Sequence, residues 1–164
     1  GFLNALLQPR RVALAGVSLL EGGVGRTILG NLRRCEYLSE ELVLLKAGHE
    51  HFLGLPCLSD VSELLREPVD LLILALPAVA TVEAVVKLIA QGGGAAVVAL
   101  VAGGIGDGAD SEGLGTRLAA ELQEARKAGR WSPALVGPKD SALWPLPGDG
   151  NDPQDRYAAI AQPH

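Results

Sequence analysis

Apolar residues recur along this chain with two different periods, and their alternation lays out the elements. Val12 to Ala15 form a short apolar run that predicts a strand over residues 11–15 and then breaks into glycine-rich sequence. Beyond it Val24, Ile28, Leu29 and Leu32 repeat at helical spacing, which predicts a helix over about 24–38. A second strand is expected over 42–46, followed by a loop over 47–56 that carries His49, His51 and the turn Leu53-Gly54-Leu55-Pro56. Ser59 is placed to cap a short helix reaching Leu65, with Asp60 and Glu63 suited to its positive end. Residues 69–76 (VDLLILAL) and 95–101 are near-continuous apolar runs, the mark of strands buried on both faces. Between them Pro77 stops the first run and Val82, Val85, Val86 and Ile89 predict a helix over 79–91, broken by Gly92 to Gly94. A helix over about 111–128 and a last short strand over 134–136 complete the pattern.

The resulting order is β-α-β-α-β-α-β-α-β, preceded by a short helix or turn over 2–8 that Pro9 closes. It predicts an α/β fold: a doubly wound, mostly parallel, Rossmann-like sheet with helices on both faces and right-handed crossovers. Periodicity stops after Gly137, and Pro145, Pro147, Pro153 and Pro163 alternate with glycine, aspartate and asparagine. Residues 1–142 therefore read as one domain and 143–164 as a Pro/Gly-rich tail or linker.

The first strand, loop and helix carry the candidate chemistry. The loop holds Gly16, Ser18, Gly22, Gly23 and Gly25. Glycines let backbone approach a phosphate, and the helix that follows offers unpaired N–H groups and a partial positive charge. The spacing differs from the G-x-G-x-x-G of dinucleotide dehydrogenases, being longer, with Ser18 where the second glycine would stand. Ser18 either donates to a phosphate oxygen or caps the turn. Dehydrogenases that bind NAD end the second strand on a carboxylate about 20 residues beyond the glycines. Here that count from Gly25 lands on Leu45 and Lys46. A lysine suits a phosphorylated ribose instead, the 2′-phosphate of NADP or the 3′-phosphate of coenzyme A.

Composition narrows the picture. Of 164 residues 48% are hydrophobic but only 4% aromatic, so the core is built from aliphatic side chains, as parallel sheets covered by helices are. A net charge of −5 without a basic stripe argues against nucleic acid. No run approaches a membrane span and no signal core opens the chain, so a soluble, cytoplasmic protein is expected. Methionine is absent, position 1 included, which suggests a processed chain or a piece of a longer one. Cys35 and Cys57 lack metal-ligand spacing and read as thiols in a reducing compartment. His49-Glu50-His51 reads as solvated loop rather than a metal site, and Gly16-Val17-Ser18 lacks the second glycine of a nucleophile elbow. No catalytic residue is assigned.

Segments in a shared order carry a resemblance. They are Gln8-Pro9-Arg10-Arg11-Val12-Ala13-Leu14-Ala15-Gly16-Val17-Ser18, Gly23-Val24-Gly25-Arg26, Leu53-Gly54-Leu55-Pro56, Pro68-Val69-Asp70-Leu71, Ala75-Leu76-Pro77-Ala78, Ala95-Ala96-Val97-Val98 and Val136-Gly137-Pro138. Over roughly residues 7–142 the chain resembles the CoA-binding domain of NDP-forming acyl-CoA synthetases, the group related to the succinyl-CoA synthetase α subunit. The resemblance implies CoA or acyl-CoA as ligand, its phosphates on the loop of Gly16, Ser18, Gly22, Gly23 and Gly25. It implies Lys46, Ala47 or Gly48 beside the 3′-phosphate, Leu76 and Pro77 along the adenine and pantetheine side, and a loop containing Gly103 and Gly104 at the thiol end. Strand 2 of that family leads into Asn-Pro-Lys, where this chain has Leu45-Lys46-Ala47-Gly48, and counting back from Leu53-Gly54 sets Gly48 opposite the family lysine. Gly137-Pro138-Lys139 stands where the family has Gly-Pro-Asn, and Glu21 adds a negative charge to the loop.

The implied role is a module that anchors CoA for thioester formation elsewhere in a synthetase, whose ATP-grasp and phosphohistidine parts are the implied partners. Two other classes fit the residues: a regulatory or scaffold protein that keeps the fold, and an NADP-binding oxidoreductase domain. Leucine-rich helices allow a homodimer without requiring one.

Overall fold

The computed structural model describes residues 9–19, 22–34, 41–101 and 109–137. Within them the chain forms β1 (Arg11–Ala15), α1 (Val24–Arg34), β2 (Glu41–Leu45), β3 (His51–Phe52), β4 (Leu55–Leu58), a 3-10 helix (Val61–Leu65), β5 (Val69–Leu74), α2 (Ala78–Gln91), β6 (Ala95–Leu100), α3 (Ala109–Lys127) and β7 (Ala134–Val136). The strands make one sheet in the order β3-β4-β2-β1-β5-β6-β7. All neighbouring pairs are parallel except β3 and β4. The leading segment 2–8, Cys35, the loop with Gly103 and Gly104, Lys139 and the tail 143–164 lie outside the described residues.

Alternation along the strands divides the interior into two layers. Ala13, Ala15, Val43, Leu72, Leu74, Val98, Leu100 and Leu135 pack with α2, α3 and the 3-10 helix. Their neighbours Val12, Leu14, Leu44, Leu71, Ile73, Val97, Ala99 and Val136 pack on the other side with Ile28, Leu29 and Leu32 of α1. This two-sided burial is why the strand sequences are continuously apolar rather than alternating. At the amino end of the sheet the Asp70 carboxylate accepts hydrogen bonds from the backbone N–H groups of Arg10 and Arg11, at 2.8 and 3.2 Å, which ties the start of β1 to β5.

The architecture agrees with the sequence reading, with two strands more than the pattern predicts. Residues 47–56, read as a loop, contain β3 and the start of β4, and β4 joins the sheet beside β2. Two residues mask this hairpin. Its tight turn puts Leu53 at φ 52° and Gly54 at φ 78°, and leucine is a rare occupant of a position that favours asparagine or glycine. Pro56 demotes a strand by lacking an N–H, but here it pairs only with His51 of the two-residue edge strand.

The short helix is a 3-10 turn whose cap is Asp60, one residue later than Ser59. Asp60 accepts from the Ser62 N–H, while the Glu63 carboxylate reaches back to the N–H groups of Ser59 and Asp60, a reciprocal capping box. The third long strand also stops at Leu74, leaving Ala75 and Leu76 in the turn that leads to α2.

Candidate functional site

β1 and β5 are adjacent and parallel, yet the chain leaves them for opposite faces of the sheet, to α1 from β1 and to α2 from β5. Their carboxyl ends therefore form a topological switch point, where open α/β sheets leave a crevice for a ligand. Residues 16–19, 22–23 and 75–77 border it, and both helices begin there. α1 starts from Gly23, whose carbonyl accepts the Thr27 N–H at 3.1 Å, and α2 starts from Pro77, which makes no side-chain cap. The first-turn N–H groups of a helix have no intrahelical acceptor. Neither helix has an acidic residue in its first turn, so both ends keep their positive character.

The loop glycines divide into two kinds. A Cβ on Gly16, at φ 102°, would lie 2.0 Å from the Ala75 carbonyl oxygen, and one on Gly25 would lie 2.2 Å from the Gly16 oxygen. These two glycines let β5, β1 and α1 meet backbone to backbone. Among the described residues other than its chain neighbours, no atom lies within 4 Å of the Cβ position of Gly22, at φ 93°, and Gly23 has the Ser18 hydroxyl at 3.4 Å. Those two and Ser18, which is exposed, are open positions of the described loop.

Lys46 stands beside this loop. Its ammonium donates to the Val17 carbonyl at 2.8 Å and lies 4.8 Å from the centre of the Phe52 ring. Arg26, in the first turn of α1, donates to the Ser18 and Leu19 carbonyls at 2.9 and 3.0 Å, with its guanidinium 5.3 Å from the same ring. His49 packs on Phe52 as well, ring centres 5.4 Å apart. Burial raises the Cys57 thiol above its ordinary range and nearby Lys46 only partly opposes this, so the sulfur is held protonated rather than nucleophilic.

On the α2 side of the sheet a cleft of about 270 Å³ opens between the ends of β1, β2 and β5, the 3-10 helix and α2. Ala15, Leu45, Leu74 and Leu76 form its apolar wall, and Ala80 and Ala84 of α2 leave room on the other side. Its polar groups are Ser59, Asp60, Glu83 and Lys87, the last bonded to Asp60 at 2.7 Å. Of the residues read as binding candidates, Leu76 lines this cleft, and Pro77 sits one residue on as the start of α2. Gly16, Ser18, Gly22, Gly23, Gly25 and Lys46 gather around the phosphate-type loop; Gly103 and Gly104 are outside the described residues.

The sequence does not single out Arg26, Phe52, Glu83 or Lys87. Arg26 lies within the segment Gly23-Val24-Gly25-Arg26, but nothing in sequence announces that Phe52 folds back onto it from a hairpin.

The Lys87 hydrogen bond holds the Asp60 carboxyl below its ordinary 3.8, with help from Ser62 and against partial burial. A carboxyl lowered by folding adds stability that is complete above its unfolded pKa and is lost as pH falls through the folded one. Both partners are about half exposed, so the contribution is at most about 1 kcal/mol. Asp60→Asn, which retains a capping side chain, should therefore cost stability at neutral pH and cost progressively less as pH falls below the ordinary carboxyl range, the urea midpoints of the two chains drawing together.

The profile of a family described as a CoA binding domain matches residues 10–137. The chain is 34% identical over 137 residues to the ADP-forming acetate–CoA ligase I of Archaeoglobus fulgidus, which covers 83% of this chain and 18% of the ligase. It is 33% identical over 96 residues to a trans-feruloyl-CoA synthase from an unknown prokaryotic organism, 58% of this chain and 13% of that protein. The chain thus spans less than a fifth of the length of these curated relatives. Among solved structures, the dinucleotide-forming acetyl-coenzyme A synthetase 1 of Ca. Korarchaeum cryptofilum, in complex with phosphate and ADP, aligns with a TM-score of 0.63 at 21% identity, over 83% of this chain and 27% of that one. A protein of Pyrococcus horikoshii aligns with a TM-score of 0.61 at 20% identity, over 83% and 29%. These structural likenesses establish the fold. Among the described residues no helix is long and apolar enough to cross a membrane.

Proposed function

The chain belongs to the CoA-binding domain family, and we propose that it binds CoA at the switch point and presents it to chemistry carried out by other parts of an acyl-CoA synthetase. The observation that carries this reading is the meeting of two sites of opposite character at the carboxyl end of the central strands. A glycine loop and helix N-terminus suited to phosphate lie beside an apolar cleft suited to a base. The cleft is slightly smaller than the roughly 300–1,000 Å³ typical of pockets for drug-sized molecules, so it suits the adenine end of CoA rather than the whole ligand. The diphosphate would lie along Ser18, Gly22, Gly23 and the first turn of α1, where no carboxylate of the helix opposes it.

By similarity to the ADP-forming ligase, the larger reaction would be attack of the CoA thiol on an acyl phosphate, giving a thioester and inorganic phosphate. Formation of that acyl phosphate at the expense of a nucleoside triphosphate would fall to ATP-grasp and phosphohistidine parts. The contribution of this domain would be to hold the thiol in place, an entropic one. The composition suits work in the cytoplasm.

Calorimetric titration of the 164-residue chain with CoA and with NADP tests the binding step. The expected result is CoA binding with a dissociation constant of about 1–100 μM, near −7 kcal/mol, and no heat from NADP. Absence of CoA binding at millimolar concentration would overturn the reading and leave a fold that serves as a scaffold.

A further inference from the structure

Three successive carbonyls of the glycine loop are held by two cations. Lys46 Nζ donates to Val17 O, Arg26 Nε to Ser18 O and Arg26 Nη2 to Leu19 O, at 2.8, 2.9 and 3.0 Å. Both cations lie over the Phe52 ring, which His49 buttresses. A trans peptide is planar, with each carbonyl directed opposite to the next residue's N–H. No peptide bond among the described residues is cis. Drawing the Val17 and Ser18 carbonyls toward the two cations therefore turns the N–H groups of Ser18 and Leu19 to the other side of the loop. Successive N–H groups turned one way form a concave anion site.

The position of Arg26 supports the same conclusion. A cation in the first turn of a helix is placed unfavourably against the helix dipole, and its two loop carbonyls offset that cost. We propose that Lys46, Arg26 and Phe52 are a brace that presets the loop for the diphosphate of the ligand. Lys46 is then a positioning residue that acts through the Val17 peptide, and not a direct partner of the ribose phosphate. The β3–β4 hairpin becomes part of the binding site through Phe52. This inference rests on the CoA reading above.

The test compares CoA with dephospho-CoA, which lacks the 3′-phosphate and keeps the diphosphate. Lys46→Met and Arg26→Gln should each weaken both ligands by the same factor, about tenfold, the low end of what a charged hydrogen bond contributes. Lys46→Arg, which can still donate to Val17, should recover most of that loss for both. Melting temperatures should stay within a few degrees of the parent. A loss confined to CoA would make Lys46 a direct phosphate ligand and overturn the proposal, as would unchanged affinity for both ligands. Loss of both that Lys46→Arg fails to recover, or that follows a comparable fall in stability, would reduce the brace to a fold contact and overturn it too. A parent chain that binds neither ligand refutes the CoA reading itself, an outcome visible before any variant is made.

Discussion

Gly25→Ala is expected to lower the stability of this chain by about 3–5 kcal/mol, the range of severe core substitutions and a large part of the roughly 5–15 kcal/mol that holds most domains together. The added carbon would lie 2.2 Å from the Gly16 oxygen, 2.7 Å from its carbonyl carbon and 3.0 Å from the Val17 nitrogen. All three are backbone atoms of the segment leaving β1, so no side-chain rotation relieves the contact. Relief requires α1 to lift, and that loosens Ile28, Leu29 and Leu32, which are at most 4% exposed. Alanine's better helix propensity returns at most about 1 kcal/mol, too little to reverse the sign. Gly16→Ala should cost at least as much, since its carbon would meet the Ala75 oxygen at 2.0 Å and its φ of 102° is strained for any L side chain. Gly22→Ala is the comparator. It has the same kind of backbone, φ 93°, with no non-adjacent described residue within 4 Å of the added carbon, and should cost only about 1–2 kcal/mol. Urea unfolding of the three variants decides the matter. A Gly25→Ala chain as stable as its parent would mean that α1 does not seat on β1 through this glycine.

That contrast shows what the sequence could and could not disclose. The four glycines and the serine of the loop read alike, as one anion-binding segment. Whether a glycine is there for close packing or for loop shape depends on what lies across from it, and for Gly16 that is Ala75, 59 residues away. The long strands were legible because β1, β5 and β6 are central and buried on both faces, which leaves a continuous apolar signature. The hairpin was not, because Leu53 occupies a turn position that favours other residues and Pro56 interrupts a strand of four. Lys46 was found by counting, but its neighbours were not. A count along the chain gives the end of β2, whereas the partners Val17 and Phe52 come from other elements. Asp60 and Lys87, at the cleft, are joined only when the 3-10 helix docks beside α2.

Filling the cleft gives the second large effect expected, and this one falls on the ligand. Ala80 and Ala84 lie one helical turn apart on α2, on the same stripe as Glu83 and Lys87, opposite Leu45, Leu74 and Leu76. Small side chains at these two positions are what leave the cleft of about 270 Å³ open. Ala84→Trp would place an indole into that space. If the cleft takes the adenine of CoA, affinity should fall by about a hundredfold, equivalent to about 2.7 kcal/mol. Stability should change by less than about 1 kcal/mol, because the new side chain grows into a cleft open to solvent rather than into the packed interior, and tryptophan is only a moderately poorer helix former than alanine. The comparison that assigns the cleft uses fragments. ADP, which carries the base and diphosphate, should lose affinity along with CoA, whereas 4′-phosphopantetheine, which lacks the base, should bind Ala84→Trp as it binds the parent. A loss confined to 4′-phosphopantetheine would place the pantetheine arm in the cleft, equal losses for both fragments would mean a general distortion of the site, and unchanged CoA affinity would remove the cleft from the site. Lys46→Met should act on a different part of the ligand, weakening ADP and dephospho-CoA alike. The two variants together therefore separate recognition of the base from recognition of the diphosphate, which meet at the carboxyl end of the sheet but are built on opposite faces of it.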